Sequence, residues 1–373
     1  MPSSFLHPGE GSPHEGMCSA ASHRATLRKF SDMLRGMSGK RRVTIAHIAE
    51  EAGVSSPTVS KVINGRSEVS PQTRKRVEQL LHEHGYIRRT ASADGPVGMI
   101  DLIFAELESP WAMELIRGAE SAAREAEASI VISVLHTHAG PGRDWLERLA
   151  ARRTDGVIIV SSRLSTQQYG QLNARSIPFV VIDPDGEPAP DVASVGATNW
   201  QGGLTATRHL LELGHRRIGM IGGPPDMLCS RARIDGYRAA LETAGVEVDP
   251  SLILNGDFLV GSGHDHGHAL LSLPDRPTAI FAGCDMQAFG VFEAARQRGL
   301  RVPDDLSVVG FDDLPLSKSA WPPLTTVRQP LEEMAFLATR MALGISRGET
   351  PEPRRVELST DLVVRESSGP PPG

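Results

Sequence analysis

The spacing of apolar positions divides the chain into two kinds of structure. From Val43 to Asn64, VTIAHIAEEAGVSSPTVSKVIN, Ile45, Ile48, Ala49 and Ala52 fall at i, i+3, i+4 and i+7, one face of a short helix. Thr44 is placed to cap that helix and Gly53 to turn the chain. Ser55 and Ser56 offer a second N-cap, with Pro57 pre-set for a first helical position. Val59, Val62 and Ile63 then point one way, and Ser56, Pro57, Ser60, Lys61 and Asn64 the other. Ser70 and Pro71 open a third helix with Val77, Leu80 and Leu81 inside and Gly85 as its stop. After residue 97 the pattern changes to short apolar runs, GMIDLIF, SIVISVL, GVIIVS, PFVVID, RIGMIGG, AIFAGCD and LSVVGFDD, separated by helix-length amphipathic segments. Such alternation predicts parallel α/β sheets covered on both faces. About 270 residues of it exceed one ordinary domain, so two similar lobes are expected.

Two short helices joined by a tight turn, the second with a small outer face, read as a helix-turn-helix. Small residues let a helix sink into the major groove, where Lys61 and Asn64 supply donors for base edges or phosphates. An ordinary helical hairpin is the alternative for this pair alone. Charge separates the two readings. Between residues 40 and 89 there are ten Lys/Arg against five Glu, while the whole chain carries a net −6. A basic module on an acidic body is the distribution expected of a protein with one polyanion-binding end.

Composition bounds the rest. Forty per cent hydrophobic residues over 373 positions is too apolar for a disordered chain and long enough for two or three cores. Without a run of about 18 apolar residues or a leader pattern, a cytoplasmic protein with no membrane partner is expected. Cys18, Cys229 and Cys284 are odd in number and scattered, which suggests neither a disulfide framework nor a zinc cluster. Residues 1–39, rich in Ser, Gly, Pro and His, are expected to be a disordered tail. MSGKRRVTIAHIAEEAG, from Met37, reads naturally as a beginning, so the preceding tail is expected to be dispensable or untranslated. Residues 88–96, RRTASADGP, are expected to form a polar, turn-rich linker, and 367–373 a second disordered tail.

The segment VTIAHIAEEAGVSSPTVSKVINGRSEVSPQTRKRVEQLLHEHGY resembles the DNA-binding module of the lactose-repressor/galactose-repressor (LacI/GalR) family. NWQGGLTATRHLLELGHRRIGMIGG, SRARIDGYRAAL, SVVGFDD and PPLTTVRQP resemble the effector-binding core of the same family. The resemblance covers about residues 41–366. It implies an all-α helix-turn-helix domain at 40–87, a hinge at 88–96, and at 97–366 a two-lobed α/β effector domain of the periplasmic-binding-protein-like type I fold. It also implies that the lobes exchange chain: 97–196 with 328–350 in the first, 197–327 with 351–366 in the second.

In open α/β sheets ligands bind beyond the carboxyl ends of strands, where Asp183, Asp285, Asp312 and Asp313 stand. Carboxylates there suit a polyhydroxylated ligand, because each accepts bonds from neighbouring hydroxyls. Arg233, near a helix start, adds a planar fork of donors, and Trp111 and Phe258 offer faces for stacking on a sugar. A strand-end Asp that merely caps the next helix is the bland alternative. The family resemblance implies effector contacts at Asp183, Arg233 and Asp312, stacking at Phe258, a further contact near Gln329, and a pocket-lining place for Trp111. Cys284 stands where relatives commonly carry Asn, and a thiol is a poor hydrogen-bond partner.

The candidate DNA contacts are Arg41, Arg42, Thr44, Ser55, Ser56, Pro57, Thr58, Ser60, Lys61, Asn64, Arg74, Arg88 and Arg89. Ser56, Pro57 and Lys61 are expected to choose bases, and Arg41, Arg42 and Arg74 to hold phosphates. Relatives follow the third helix with a Pro-Asn pair and a hinge helix whose Leu wedges into the minor groove. Here Ile87, Arg88 and Arg89 lead into TASADGP with no Leu, so an electrostatic grip with little kinking is expected.

GSGHDHGH, with His264, Asp265, His266 and His268, invites a metal reading, since His264 and His268 are one helical turn apart. A third ligand has no clear place, so no metal or other cofactor is expected there. Nucleophile-elbow and phosphate-loop patterns are absent, which argues against an enzyme. The reading is a homodimeric repressor of carbohydrate-utilisation genes that binds a palindromic operator and is released by a small sugar. The alternatives are a regulator using a non-sugar ligand as corepressor and, from a different class, a plain sugar receptor that binds no DNA.

Overall fold

The computed structural model describes residues 44–63, 69–84, 98–135, 143–152, 154–160, 166–184, 186 and 191–372. It divides into two compact units, one ending at Tyr86 and the other beginning at Ile87.

In the first unit, α1 (Ile45–Ala52), α2 (Ser56–Ile63) and α3 (Pro71–Glu83) start where the caps require. The Thr44 hydroxyl accepts the His47 N–H at 3.3 Å, Ser55 accepts that of Thr58 at 3.3 Å, and Ser70 that of Thr73 at 3.2 Å. Gly53 closes α1 in the left-handed region, φ 67°, where a side chain would be strained. Ile48, Ala49, Val59, Val62, Val69 and Val77 bury together, with Leu80 and Leu81 packed against them. Three short helices thereby share a core none could form alone.

The second unit contains β1 (Met99–Phe104), α4 (Trp111–Glu125), β2 (Ser129–Val134), α5 (Arg143–Arg152), β3 (Gly156–Val160), α6 (Thr166–Ala174), β4 (Phe179–Ile182) and β5 (Ser194–Ala197). After these come α7 (Asn199–Glu212), β6 (Ile218–Gly222), α8 (Leu228–Thr243), β7 (Ile253–Asn255), α9 (Val260–Leu271), β8 (Ala279–Ala282), α10 (Asp285–Gln297) and β9 (Ser307–Asp312). The chain closes with α11 (Pro315–Ser319), β10 (Thr325–Arg328), α12 (Leu331–Ser346), β11 (Arg355–Leu358) and β12 (Asp361–Val363). Two six-stranded sheets result, in the orders β11-β5-β4-β3-β1-β2 and β12-β10-β9-β8-β6-β7. The first is parallel throughout, and the second has one antiparallel pair, β10 with β12. Each sheet is buried on both faces: α4 and α12 against α5 and α6 in the first lobe, α7 and α8 against α9 and α10 in the second. That explains the unbroken apolar runs in the central strands.

The chain passes between lobes after β5, after β10 and between β11 and β12. Thr198 and Thr360 pin two of these passages together, with hydroxyls 3.0 Å apart and the Thr360 N–H donating to the Thr198 hydroxyl at 3.0 Å. Two boundaries differ from those the family resemblance implies. β11 pairs in parallel with β5, so the last passage falls at residues 359–360 rather than 351, because Val356 and Leu358 complete the first-lobe core. Residues 367–369 are docked, not a free tail. Ser367 donates to the Val308 carbonyl at 2.6 Å and accepts the Thr325 N–H at 2.8 Å, and the Gly369 carbonyl accepts from buried His215 at 2.9 Å. A short polar run is anchored here by backbone and hydroxyl bonds, which hydrophobic periodicity does not report.

Helices on one face of each sheet approach closely enough to exclude side chains. A Cβ on Gly203 would lie 2.3 Å from the Arg233 carbonyl oxygen, and one on Gly236 would lie 2.1 Å from that of Trp200. Gly236→Ala must therefore separate α7 from α8, an overpacking cost of about 1–3 kcal/mol. Gly170 in α6 faces open space, so Gly170→Ala gains the ordinary helix preference of roughly 0.5–1 kcal/mol. Calorimetry of the full chain should show the first variant melting several degrees lower and the second unchanged or higher.

Candidate nucleic-acid interface and ligand site

Ser56, Pro57 and Lys61 are exposed on α2, while Val59 and Val62 hold the opposite face in the core. Thr58 and Ser60 are half-buried on the flanks. Thr44 and Ser55 are engaged as caps, and the Ser55 and Thr58 hydroxyls lie 2.9 Å apart. Their hydroxyls hold helix ends first, which limits what they can offer a base. Arg74 is half-buried on α3. Arg41, Arg42, Asn64, Arg88 and Arg89, with the whole 88–96 linker, lie outside the described residues.

The second unit gathers polar groups where its two sheets end. Arg233 on α8 is buried, its Nε donating to Asn199 Oδ1 at 2.9 Å and its Nη1 to the Gly283 carbonyl at 2.6 Å. The guanidinium sits 3.8 Å from the Phe311 ring centroid and 5.4 Å from that of Phe258. Asp183 follows β4 and Asp312 ends β9, both buried, and Arg233 acts electrostatically on each. Gln329, beside the second passage between lobes, donates through Nε2 to Asp312 Oδ1 at 2.6 Å. Its own Oε1 is buried without a partner among the described residues. Asp183, Phe258 and Asp312 all have positive φ, at 46°, 67° and 123°. Non-glycine residues held there store strain that the surrounding structure must sustain, a recurrent property of binding sites.

Burial sets the charge state of these acids. It pushes Asp183 up to about 6, against the pull of Arg233 and with a smaller push from Glu357. Asp312 is also raised, first by burial, with Arg233 opposing and Asp285 and Asp183 adding repulsion. Beside Asp183 a cavity of about 290 Å³ opens, walled by Asn199, Trp200, Cys229 and Glu357 among others. Of the residues selected from the sequence, only Asp183 lines it.

Two selected acids have other work. Asp285 is fully buried and accepts the Leu314 N–H at 2.8 Å and the hydroxyls of Ser317 and Thr326 at 2.5 Å. Three donors inside one lobe occupy this carboxylate, so its selection as a ligand group is corrected to a structural role. Asp313 is held by Arg328 at 2.8 Å and by Arg365. Trp111 begins α4, partly buried against a first-lobe core that takes in Leu314 and Met286 from the second lobe. Cys284 caps α10, accepting the Gln287 N–H at 3.4 Å and donating to the Phe258 carbonyl at 3.2 Å. His264 and His268 lie 5.4 Å apart between ring centroids, but each is engaged, His264 with Asp265 and Gln297, His268 with Arg298. Asn199, Cys229 and Glu357 were not selected from the sequence. Asn199 opens the quoted NWQGG run, whereas nothing local marks Glu357, because only the pairing of β11 with β5 brings it beside Asp183.

A three-helix head with a small-residue outer helix, in one chain with a two-lobed α/β core, is the architecture of a DNA-binding regulator. Residues 44–89 match the family model for bacterial regulatory proteins of the lacI family, and residues 207–368 that for the periplasmic binding protein-like domain. The chain is 36% identical over 349 residues to the HTH-type transcriptional regulator CelR of Thermobifida fusca, covering 89% of this chain and 100% of that one. A solved CelR–cellobiose complex superposes with a TM-score of 0.66 at 36% identity, over 87% of this chain and 100% of that one. The lac repressor dimer bound to operator and the anti-inducer ONPF gives 0.65 at 28% identity, over 88% and 100%. The chain belongs to the LacI family and is a DNA-binding transcriptional regulator. Among the described residues no helix is long and apolar enough to cross a membrane.

The raised acids give the core a pH dependence. Asp183 binds its proton more tightly folded than unfolded, so its contribution is full below about pH 4 and is lost as pH rises through about 6. Unfolding of the full chain followed from pH 4 to 7 should show stability falling, and Asp183→Asn should flatten that slope. An equally steep slope in the variant would place the titrating group elsewhere.

Proposed function

We propose that this regulator is a repressor released by a small sugar seated between the lobes. The observation that carries the reading is the buried set Asp183, Arg233, Asp312 and Gln329, drawn from both lobes, with an acceptor on Gln329 left for a donor. Neighbouring carboxylates accept pairs of hydroxyls, and a guanidinium fork donates to ring or hydroxyl oxygens. Phe258 lies beside Arg233, where its ring can flank an apolar sugar face. The cellobiose bound to CelR supports the same ligand class. The head then acts through α2: Ser56, Pro57 and Lys61 choose bases, Arg74 and the basic residues flanking the helices hold phosphates, and two heads of a homodimer read a palindrome. The protein works in the cytoplasm without catalysis, its output being occupancy of DNA.

Thermal-shift screening of the full chain against mono- and disaccharides, with purines alongside, identifies the ligand, because whatever binds only the folded state raises the melting point. A purine that stabilises the chain while sugars do not would overturn the reading. Arg233→Ala should weaken the identified sugar by about 2–3 kcal/mol in calorimetry, the cost of hydrogen bonds to a charged group, while operator binding persists. Lys61→Ala should weaken the best operator by about 1–3 kcal/mol and random DNA less. Equal losses on both would assign Lys61 to the phosphate backbone.

A further inference from the structure

The head carries a cluster of metal-ligating groups outside the candidate DNA contacts. His47 and Glu51 stand one helical turn apart on α1, and His84 follows the last residue of α3. Each carboxylate oxygen of Glu51 faces one imidazole: Oε1 lies 3.7 Å from His47 Nε2, and Oε2 contacts His84 Nε2. The two rings meet edge to face, with centroids 5.5 Å apart. One ligand atom from each residue lies within 4.8 Å of the other two. A tetrahedral zinc ion with bonds of about 2.0–2.1 Å holds its ligand atoms roughly 3.3 Å apart, within reach of small side-chain rotations here. All three side chains are partly open to solvent, at 48%, 38% and 28% exposure, so an ion could enter and water could fill the fourth position.

We propose that His47, Glu51 and His84 form a site for one borderline divalent first-row ion, of which zinc is the representative. Two imidazoles and one carboxylate with an open position suit that class and not calcium or magnesium, which take oxygen ligands. The ion fastens the end of α3 to α1, joining the first and last described turns of the head. Main-chain spacing places the third ligand 33 residues after the second, so the set assembles only when the three helices are packed. Metal occupancy then favours the folded head.

The test uses the full chain with zinc chloride in competition with a chromophoric chelator, and cobalt chloride as a spectroscopic probe. Because the chain has 13 His, the reading is the difference between variants rather than total uptake. His47→Ala, Glu51→Gln and His84→Ala should each weaken the tightest zinc equivalent at least tenfold and remove the tetrahedral cobalt absorption. Circular dichroism and DNA retention in chelator should match the unaltered chain. Should an alanine variant lose its fold, the near-isosteric Glu51→Gln decides by the same titration. The proposal is overturned if the unaltered chain binds no zinc, if these variants bind it undiminished, or if His264→Ala with His268→Ala removes the equivalent instead.

Discussion

One buried positive charge organises the polar interior of the two-lobed core. Arg233 has little contact with water, and a guanidinium in that position is tolerated only when opposite charge and acceptors surround it. Asn199 and the Gly283 carbonyl take two of its N–H groups, and Asp183 and Asp312, from different lobes, feel its charge. The compensation is incomplete by construction, since both acids are held above their ordinary range by the same burial that protects the arginine. The sugar proposed above would relieve that conflict, because its hydroxyls donate to the acids and accept from the guanidinium. Among the described residues, the Gln329 Oε1 is the acceptor of this set that the protein leaves without a partner.

The rest of the fold keeps those groups in register. α7 and α8 cross so closely at Gly203 and Gly236 that neither can shift without a backbone clash, which fixes Asn199 and Arg233 as one body. Asp183 belongs to the other lobe, reached through passages that Thr198 and Thr360 bind together. Rigid lobes joined by a few bonded strands concentrate any change of shape at those passages, as in hinge closure around a ligand. The left-handed backbone at Asp183, Phe258 and Asp312 fits this arrangement, because tight packing around each strand end is what sustains the strain.

Much of this was legible before any coordinates. The i, i+3, i+4 spacing of Ile45, Ile48 and Ala49 and the caps at Thr44, Ser55 and Ser70 specify the head locally, and the structure uses each as spaced. Apolar runs bounded by helix-length segments likewise mark doubly covered strands. What local pattern could not resolve is which of several equivalent strand-end acids faces the cleft. Asp285 and Asp312 look alike in sequence, AGCD against GFDD, yet Ser317 and Thr326, 32 and 41 residues further on, decide that Asp285 is occupied. Glu357 was invisible for the same reason, since its place depends on β11 joining the sheet of β5. The docked Ser367 and Gly369 depended on His215 and Val308, far earlier in the chain.

Cys284 shows how a departure from a family pattern changes meaning once neighbours are known. Read alone, a thiol in place of Asn signals a lost ligand contact. In the structure its sulfur donates to the Phe258 carbonyl and accepts the Gln287 N–H, so it fixes both the start of α10 and the backbone of an aromatic residue beside Arg233. Burial raises the thiol well above its ordinary range, which keeps it protonated and able to donate. An Asn in its place would have amide capacity to extend toward the cleft, whereas the thiol has only one donor, already committed. For the proposed sugar, the hydrogen-bonding groups that remain are those of Asp183, Arg233, Asp312 and Gln329, because the Cys284 thiol is spent on holding the backbone around them.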